Sequence, residues 1–354
     1  MATIAFADRT SDYDGRSLET RPLGGTETSV IYLAEALARR GQEVTCLTHC
    51  REPIVHRGVA WASLAAGMRG PCDLLIAVQH PELLASVPQA RRRAAWLVWP
   101  PHNIGRRGNL LRMWWHRPLP IFVSDYQVGI YAPWLPGRAQ GLVIPFGLPD
   151  SVRGRAARAN PPPPHAIFAS NPVRNLSWLI DLWSRQILPR VPDAELHVYG
   201  LRDYDYRFGD DWEETRARYG RFLPDNCPPE TLRSLKPHPP GRKEALWEAM
   251  RASRVMLYGG HRAEAYCLSV AEAQALGVPA VVRPIAVLPE RVRHGETGFV
   301  AASDEIFARH ASDLLADDDL WRRQHEAALT LQQGWSWDEM AAAFESRVIA
   351  PLLA

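Results

Sequence analysis

The stretch GGHRAEAYCLSVAEAQALGVPAVV, residues 259–282, places Glu264 and Glu272 on either side of a run of small and apolar side chains. It follows the strand-like run RVMLYG (254–259) and closes on a second one, VPAVV (278–282). Between them a helix is predicted to open at Tyr266, Cys267 and Leu268, to run through Ala275 and to stop at Gly277. Strand, loop, helix and strand in that order are the grammar of a parallel sheet. A helix start exposes unpaired N–H groups and a partial positive charge, which suits a diphosphate. Glu264 would hang over that anion, and Glu272 would project from the helix's second turn. Ionised carboxylates only accept hydrogen bonds, so they suit hydroxyl-rich groups such as sugars and riboses. By spacing alone the pair is a weak signal and reads first as a loop charge and a solvated helix residue.

Working outward, the same alternation fills both halves. The first carries strand-like runs at 3–7, 43–49, 72–78, 94–99 and 120–124, with a helical pattern between the first two that Gly41 ends. The second repeats it with HAIFAS (165–170), a helix from about 174, ELHVYG (195–200) and the opening stretch. Residues 143–164 separate the halves with Gly, Pro and Arg and no periodicity. The expected organisation is an α/β chain of two Rossmann-like domains, 1–150 and 165–334, joined by a linker at 151–164 and facing across a cleft.

Bulk properties narrow the function. A length of 354 residues suits two domains, and a net charge of +2 argues against nucleic acid as a partner. The five cysteines are odd in number and form no CxxC pair, so a reducing, cytoplasmic compartment is expected. Cys46, His49 and Cys50 lack a second ligand pair, and no metal is expected there. The N-terminal apolar run is too short for a signal peptide, and no run is long enough to span a membrane. Residues 104–119 combine Leu110, Leu111, Trp114 and Trp115 with Arg106, Arg107, Arg112 and Arg117. They read either as an interfacial helix for an anionic membrane or as a helix packed into the domain or the acceptor groove. Residues 203–214 are half acidic and read as a solvated insertion.

The words around the two carboxylates resemble the donor-binding core of family-4 retaining glycosyltransferases with the GT-B fold. They are Glu264, Glu272–Ala273, Gly277–Pro279–Val281 and Gly295–Gly298. PLGGTETSV (22–30) looks like that family's Gly-rich loop, VIPFGLPD (143–150) like the approach to its linker, and WSWDEMAAAF (335–344) like the start of its closing helix. The resemblance covers nearly the whole chain. It implies that 335–354 returns as a helix to the N-terminal domain, that Glu264 contacts donor-sugar hydroxyls and that Glu272 binds the ribose. It also implies that the amides of Tyr266, Cys267 and Leu268 bind the diphosphate, which Gly24 and Gly25 approach from the other domain. Asn171 and Arg174 fall in the corresponding donor segment, with Arg174 at a Lys-like position, able to grip phosphate with two N–H groups. The Arg that the family usually places before it is absent, and that departs from the pattern. His102 fits the family's His near the sugar's outer hydroxyls, with His80 as a rival.

The implied activity is metal-independent, retaining transfer of a sugar from a nucleotide-diphosphate donor (UDP or GDP unresolved) to a glycan, lipid-linked or small-molecule acceptor hydroxyl. No cofactor is expected. A nucleotide-sugar epimerase of the same fold and a non-catalytic nucleotide-sugar-binding subunit remain the alternatives.

Overall fold

The computed structural model of the chain describes residues 1–68, 70–102, 104–200 and 219–354, so the acidic stretch read at 203–214 lies outside the described residues. The chain divides into two compact units, Met1–Pro149 with Trp335–Ala354, and Asp150–Gly334.

In the first unit β1 (Thr3–Ala7), β2 (Glu43–Thr48), β3 (Ile54–His56), β4 (Val59–Ser63), β5 (Cys72–Val78), β6 (Ala90–Leu97), β7 (Leu119–Phe122) and β8 (Leu142–Val143) form one sheet. Their order is β3-β4-β2-β1-β5-β6-β7-β8, and only β3–β4 is antiparallel. Helices cover parallel sheets on both faces, which is why β5 reads as a nearly unbroken apolar run with one intermediate residue, Asp73. Strands β3, β4 and β8 escaped the sequence reading, and β6 is longer than expected. The β3–β4 hairpin turns on Arg57 and Gly58, both at positive φ, where Arg-Gly replaces the more familiar Asn-Gly. Strand β6 starts at Ala90, earlier than expected, because the charged run Arg91–Arg93 masks it; Arg93 donates to the carbonyls of Leu84, Val87, Pro88 and Ala90.

The C-terminal segment completes this unit. A capping box of Ser336 and Glu339 starts the helix Trp337–Phe344, whose buried face packs on the helix Gly25–Arg39. Tyr32 stacks on Trp337 at 5.4 Å, and Trp96 meets Phe344 edge-on at 5.9 Å. Before the helix, β16 (Trp335–Ser336) pairs in parallel with β9 (Gly147–Leu148), a strand within the aperiodic stretch from 143 to 164.

In the second unit β10 (His165–Ala169), β11 (Glu195–Tyr199), β12 (Leu235–Pro237), β13 (Val255–Tyr258), β14 (Ala280–Val282) and β15 (Gly298–Val300) form a parallel sheet ordered β12-β11-β10-β13-β14-β15. Strand order reverses between β10 and β13, and between β1 and β5 in the first unit. Such a reversal sends the connections after two adjacent strands to opposite faces and leaves a crevice beyond their carboxyl ends.

Candidate donor site

Two loops leave the β10/β13 reversal, and each carries one of the predicted charges. After β10 the chain turns on Asn171, whose side-chain oxygen accepts the Val173 amide at 3.0 Å while its carbonyl accepts the Arg174 amide at 2.9 Å. This Asx turn presents Arg174. Asn175 then takes the left-handed conformation, φ 69°, so the helix begins at Leu176 rather than at 174. Its side-chain amide donates to the carbonyl of Gly260, at 2.5 Å, which ties the first loop to the second. Gly260 lies at φ +79°, where any other residue is strained, and a Cβ there would also meet Leu288 Cδ1 at 2.5 Å.

The tie brings the charges together. Arg174 Nη1 donates to Glu264 Oε1 at 2.5 Å, and the Tyr258 hydroxyl donates to the same oxygen. Glu264 is 5% exposed, so its charge is held by partners and not by water. Burial first, and then the charge of Glu264, push the Tyr258 hydroxyl far above its ordinary range, which keeps it a donor.

Beyond Glu264, Cys267 adopts φ 64° as the residue before the helix Leu268–Ala275. The helix therefore opens at Leu268, two residues later than Tyr266, because a left-handed residue cannot continue a right-handed turn. No side-chain cap hydrogen bond is made to this start, which follows a bend at Ala265 and Tyr266, so its first N–H groups lack the usual side-chain acceptor. Burial and the nearby Glu264 raise the Cys267 thiol. Glu272, in the second turn, is 2% exposed, and Lys243 Nζ donates to both of its oxygens at 2.7 and 2.9 Å. Lys243 opens the helix Lys243–Arg251, and Arg291 lies over the Tyr266 ring at 4.4 Å.

Lys243, Arg291 and Tyr258 were missed in the sequence. Lys243 and Arg291 stand in segments without a motif, and Tyr258 ends a strand-like run as an ordinary apolar residue would. Their roles come from packing, which spacing does not encode.

The remaining predicted residues belong to the first unit. Gly24 precedes the helix Gly25–Arg39 at φ −71°, so no left-handed turn demands it. The demand is steric: a Cβ at Gly24 would meet Glu27 Oε2 at 2.6 Å, and Glu27 is buried and accepts from Ser11 Oγ. His102 is exposed in the turn after β6. His80 is half-buried against Trp99, with ring centres 5.9 Å apart, and burial lowers its pKa. The helix Arg107–His116 buries Met113 and lays Leu110 on the core, while Leu111, Trp114 and Trp115 are 68%, 61% and 85% exposed. Among the described residues no helix is long and apolar enough to cross a membrane.

Known proteins share this architecture. Residues 238–330 match the family profile described as Glycosyl transferases group 1. A D-inositol 3-phosphate glycosyltransferase of Streptomyces scabiei is 34% identical over 107 residues, 30% of this chain and 24% of the relative. One of Corynebacterium aurimucosum is 32% identical over 117 residues, 32% of this chain and 27% of the relative. The match thus spans about a quarter of these relatives' length. Among solved structures, a sucrose-phosphate synthase from Thermosynechococcus elongatus superposes with TM-score 0.76 at 16% identity, covering 99% of both chains. Anabaena HepE in complex with UDP and glucose gives 0.70 at 15%, covering 99% of this chain and 100% of that one. WaaG, a glycosyltransferase involved in lipopolysaccharide biosynthesis, gives 0.68 at 14%, covering 96% and 99%. These likenesses extend over the whole chain, and the fold is GT-B, as expected from the sequence.

Proposed function

We propose that this protein is a glycosyltransferase that moves a sugar from a nucleotide-diphosphate donor to an acceptor hydroxyl with retained configuration. One observation carries the reading: the strand-order reversal joins Arg174 to Glu264, in the loop that leads into the helix start at Leu268 and on to Glu272. Glu264 and Glu272 also fall inside the segment that matches the glycosyltransferase profile.

Departure of a diphosphate leaves negative charge on phosphate and positive charge on the sugar ring. Arg174 and the helix-start amides stabilise the first without moving, which is where electrostatic catalysis acts. Glu264 holds sugar hydroxyls and Glu272 the ribose. A diphosphate beside Arg174 competes with Glu264 for the guanidinium and frees carboxylate lone pairs for the sugar. Arg291, over the Tyr266 ring, adds positive charge beside the helix start, while the charge of Lys243 is taken up by Glu272. Donor-site metal is unnecessary in this scheme, and the departing phosphate takes the acceptor's proton.

Exposed Leu111, Trp114 and Trp115, with exposed Arg106, Arg107, Arg112 and Arg117 around them, support a peripheral contact with an anionic membrane and hence a lipid-linked acceptor. Trp134, 62% exposed, adds to this surface where Gly105 approaches it.

The direct test is a thermal-shift panel of UDP, GDP, ADP and their sugars, followed by turnover with the donor that binds. A ligand bound only by the folded state raises Tm. UDP-sugars come first because the Anabaena neighbour is described in complex with UDP-glucose. One nucleotide series should raise Tm in the wild type and lose that effect in Arg174→Ala. A folded wild type unmoved by every nucleotide overturns the reading.

A further inference from the structure

At the opposite end of the same sheet, the starts of β10 and β11 place His165, Glu195 and His197 on one face. His165 pairs in register with Glu195, and His197 lies two residues further along β11, so all three side chains project the same way. One donor atom from each lies within 4.8 Å of the other two. Glu195 Oε2 stands 3.1 Å from His197 Nε2 and 3.4 Å from His165 Nε2. Bonds of about 2.0–2.1 Å to a tetrahedral ion require donors about 3.3 Å apart, and two of the three separations already match.

The surroundings orient these donors. His197 Nδ1 lies 2.9 Å from His238 Nε2, and the rings of Tyr199 and His238 stack at 4.3 Å. If His197 donates its Nδ1 proton to His238, its Nε2 lone pair is left facing Glu195, the outer-shell arrangement usual for a ligating imidazole. Lys236 Nζ pairs with the other carboxylate oxygen, Oε1, at 3.2 Å, which leaves Oε2 for the cluster. The side chains of His165, Glu195 and His197 are 26%, 33% and 20% exposed, so an ion can reach them.

We propose that His165 Nε2, Glu195 Oε2 and His197 Nε2 bind one divalent transition-metal ion, with His238 as the positioning residue. Two imidazoles and one carboxylate are a borderline donor set, suited to Zn²⁺ and its spectroscopic substitute Co²⁺ and poorly suited to Mg²⁺ or Ca²⁺. The ion clamps the starts of β10 and β11, and through His238 the end of β12. It lies at the amino ends of the strands, whereas Arg174 and Glu264 follow carboxyl ends, so its role is structural and independent of the proposed sugar transfer.

The test uses the full chain, stripped with chelator and dialysed. Equilibrium dialysis should find one Zn²⁺ per chain and no Mg²⁺, and Zn²⁺ should raise Tm. Co²⁺ should give the visible absorption of a tetrahedral site. Glu195→Gln, close to isosteric, and His197→Gln should each abolish the cobalt spectrum and weaken Zn²⁺ by about 100-fold or more. His238→Gln should weaken it roughly 10–100-fold while keeping the spectrum. A circular dichroism spectrum like the wild type's confirms that each variant has folded. No Zn²⁺ uptake by the wild type, or uptake equal in wild type, Glu195→Gln and His197→Gln, overturns the proposal; in the second case cysteines elsewhere hold the ion.

Discussion

Arg174 and Glu264, ninety residues apart in sequence, share a hydrogen bond of 2.5 Å at the point where the second sheet reverses its strand order. The pair couples the phosphate end of the proposed site to its sugar end. Glu264→Gln keeps the side chain's shape and removes its charge, so bare nucleotide affinity should stay within about threefold while kcat/KM for the donor falls by roughly ten- to a hundredfold, the size of one charge-assisted hydrogen bond. Arg174→Ala should reduce both. Calorimetry with nucleotide and with intact donor separates these outcomes, and equal loss of bare nucleotide in the two variants would remove the proposed division of labour.

Glu272 gives the complementary signature. If it holds the ribose, Glu272→Ala should weaken nucleotide and full donor by similar factors, roughly ten- to a hundredfold. Because Lys243 grips both its oxygens, the fold should respond as well. Removing one member of a buried pair costs about 3–5 kcal/mol, and the 20% exposure of the Lys243 side chain argues for the low end of that range. Urea unfolding of Glu272→Gln, Lys243→Met and the double variant should show the double variant less destabilised than the sum of the singles. Additive losses would mean the pair contributes little.

Turnover should survive chelation. EDTA should leave kcat within about twofold, since Arg174 and the helix start already supply positive potential for the departing phosphate. Loss of turnover in EDTA with recovery in Mg²⁺ or Mn²⁺ contradicts this. Any chelator effect on Tm should follow Zn²⁺ and vanish in His197→Gln.

Vesicle sedimentation tests the exposed helix. Binding to anionic vesicles should weaken as salt rises through screening of the arginines, and should fall sharply when Trp114 and Trp115 become Ser. Absence of wild-type binding to anionic vesicles assigns the face to another partner.

Cysteine alkylation reports on the loop next to Glu264. Burial pushes the Cys267 and Cys46 thiols well above their usual range and the Cys72 thiol to about 11, so little reactive thiolate exists near neutral pH. Cys227, which is less buried, should react first in peptide mass spectrometry, and Cys267 should be among the last. Fast alkylation of Cys267 in the folded chain would mean that the loop opens readily.

How much of this was legible follows from the range of each interaction. Short apolar runs, helical spacing and stop signals such as Gly41 and Gly277 act over a few residues, so the sequence by itself determined the α/β alternation, the central strands of both sheets and the place of Glu264 and Glu272 around a helix start. Segments with weak local signals escaped: the first residues of β6 behind three arginines, the hairpin on Arg57–Gly58, and β9, which exists only through its partner β16. Only the tertiary structure decided which side chains meet. Strand order brings Arg174 to Glu264, helix packing brings Lys243 to Glu272, and register brings His165 to Glu195 and His197. Each contact joins segments whose order in the sheet or across a helix interface is set by the packing of the whole unit, and no local run of residues carries that information.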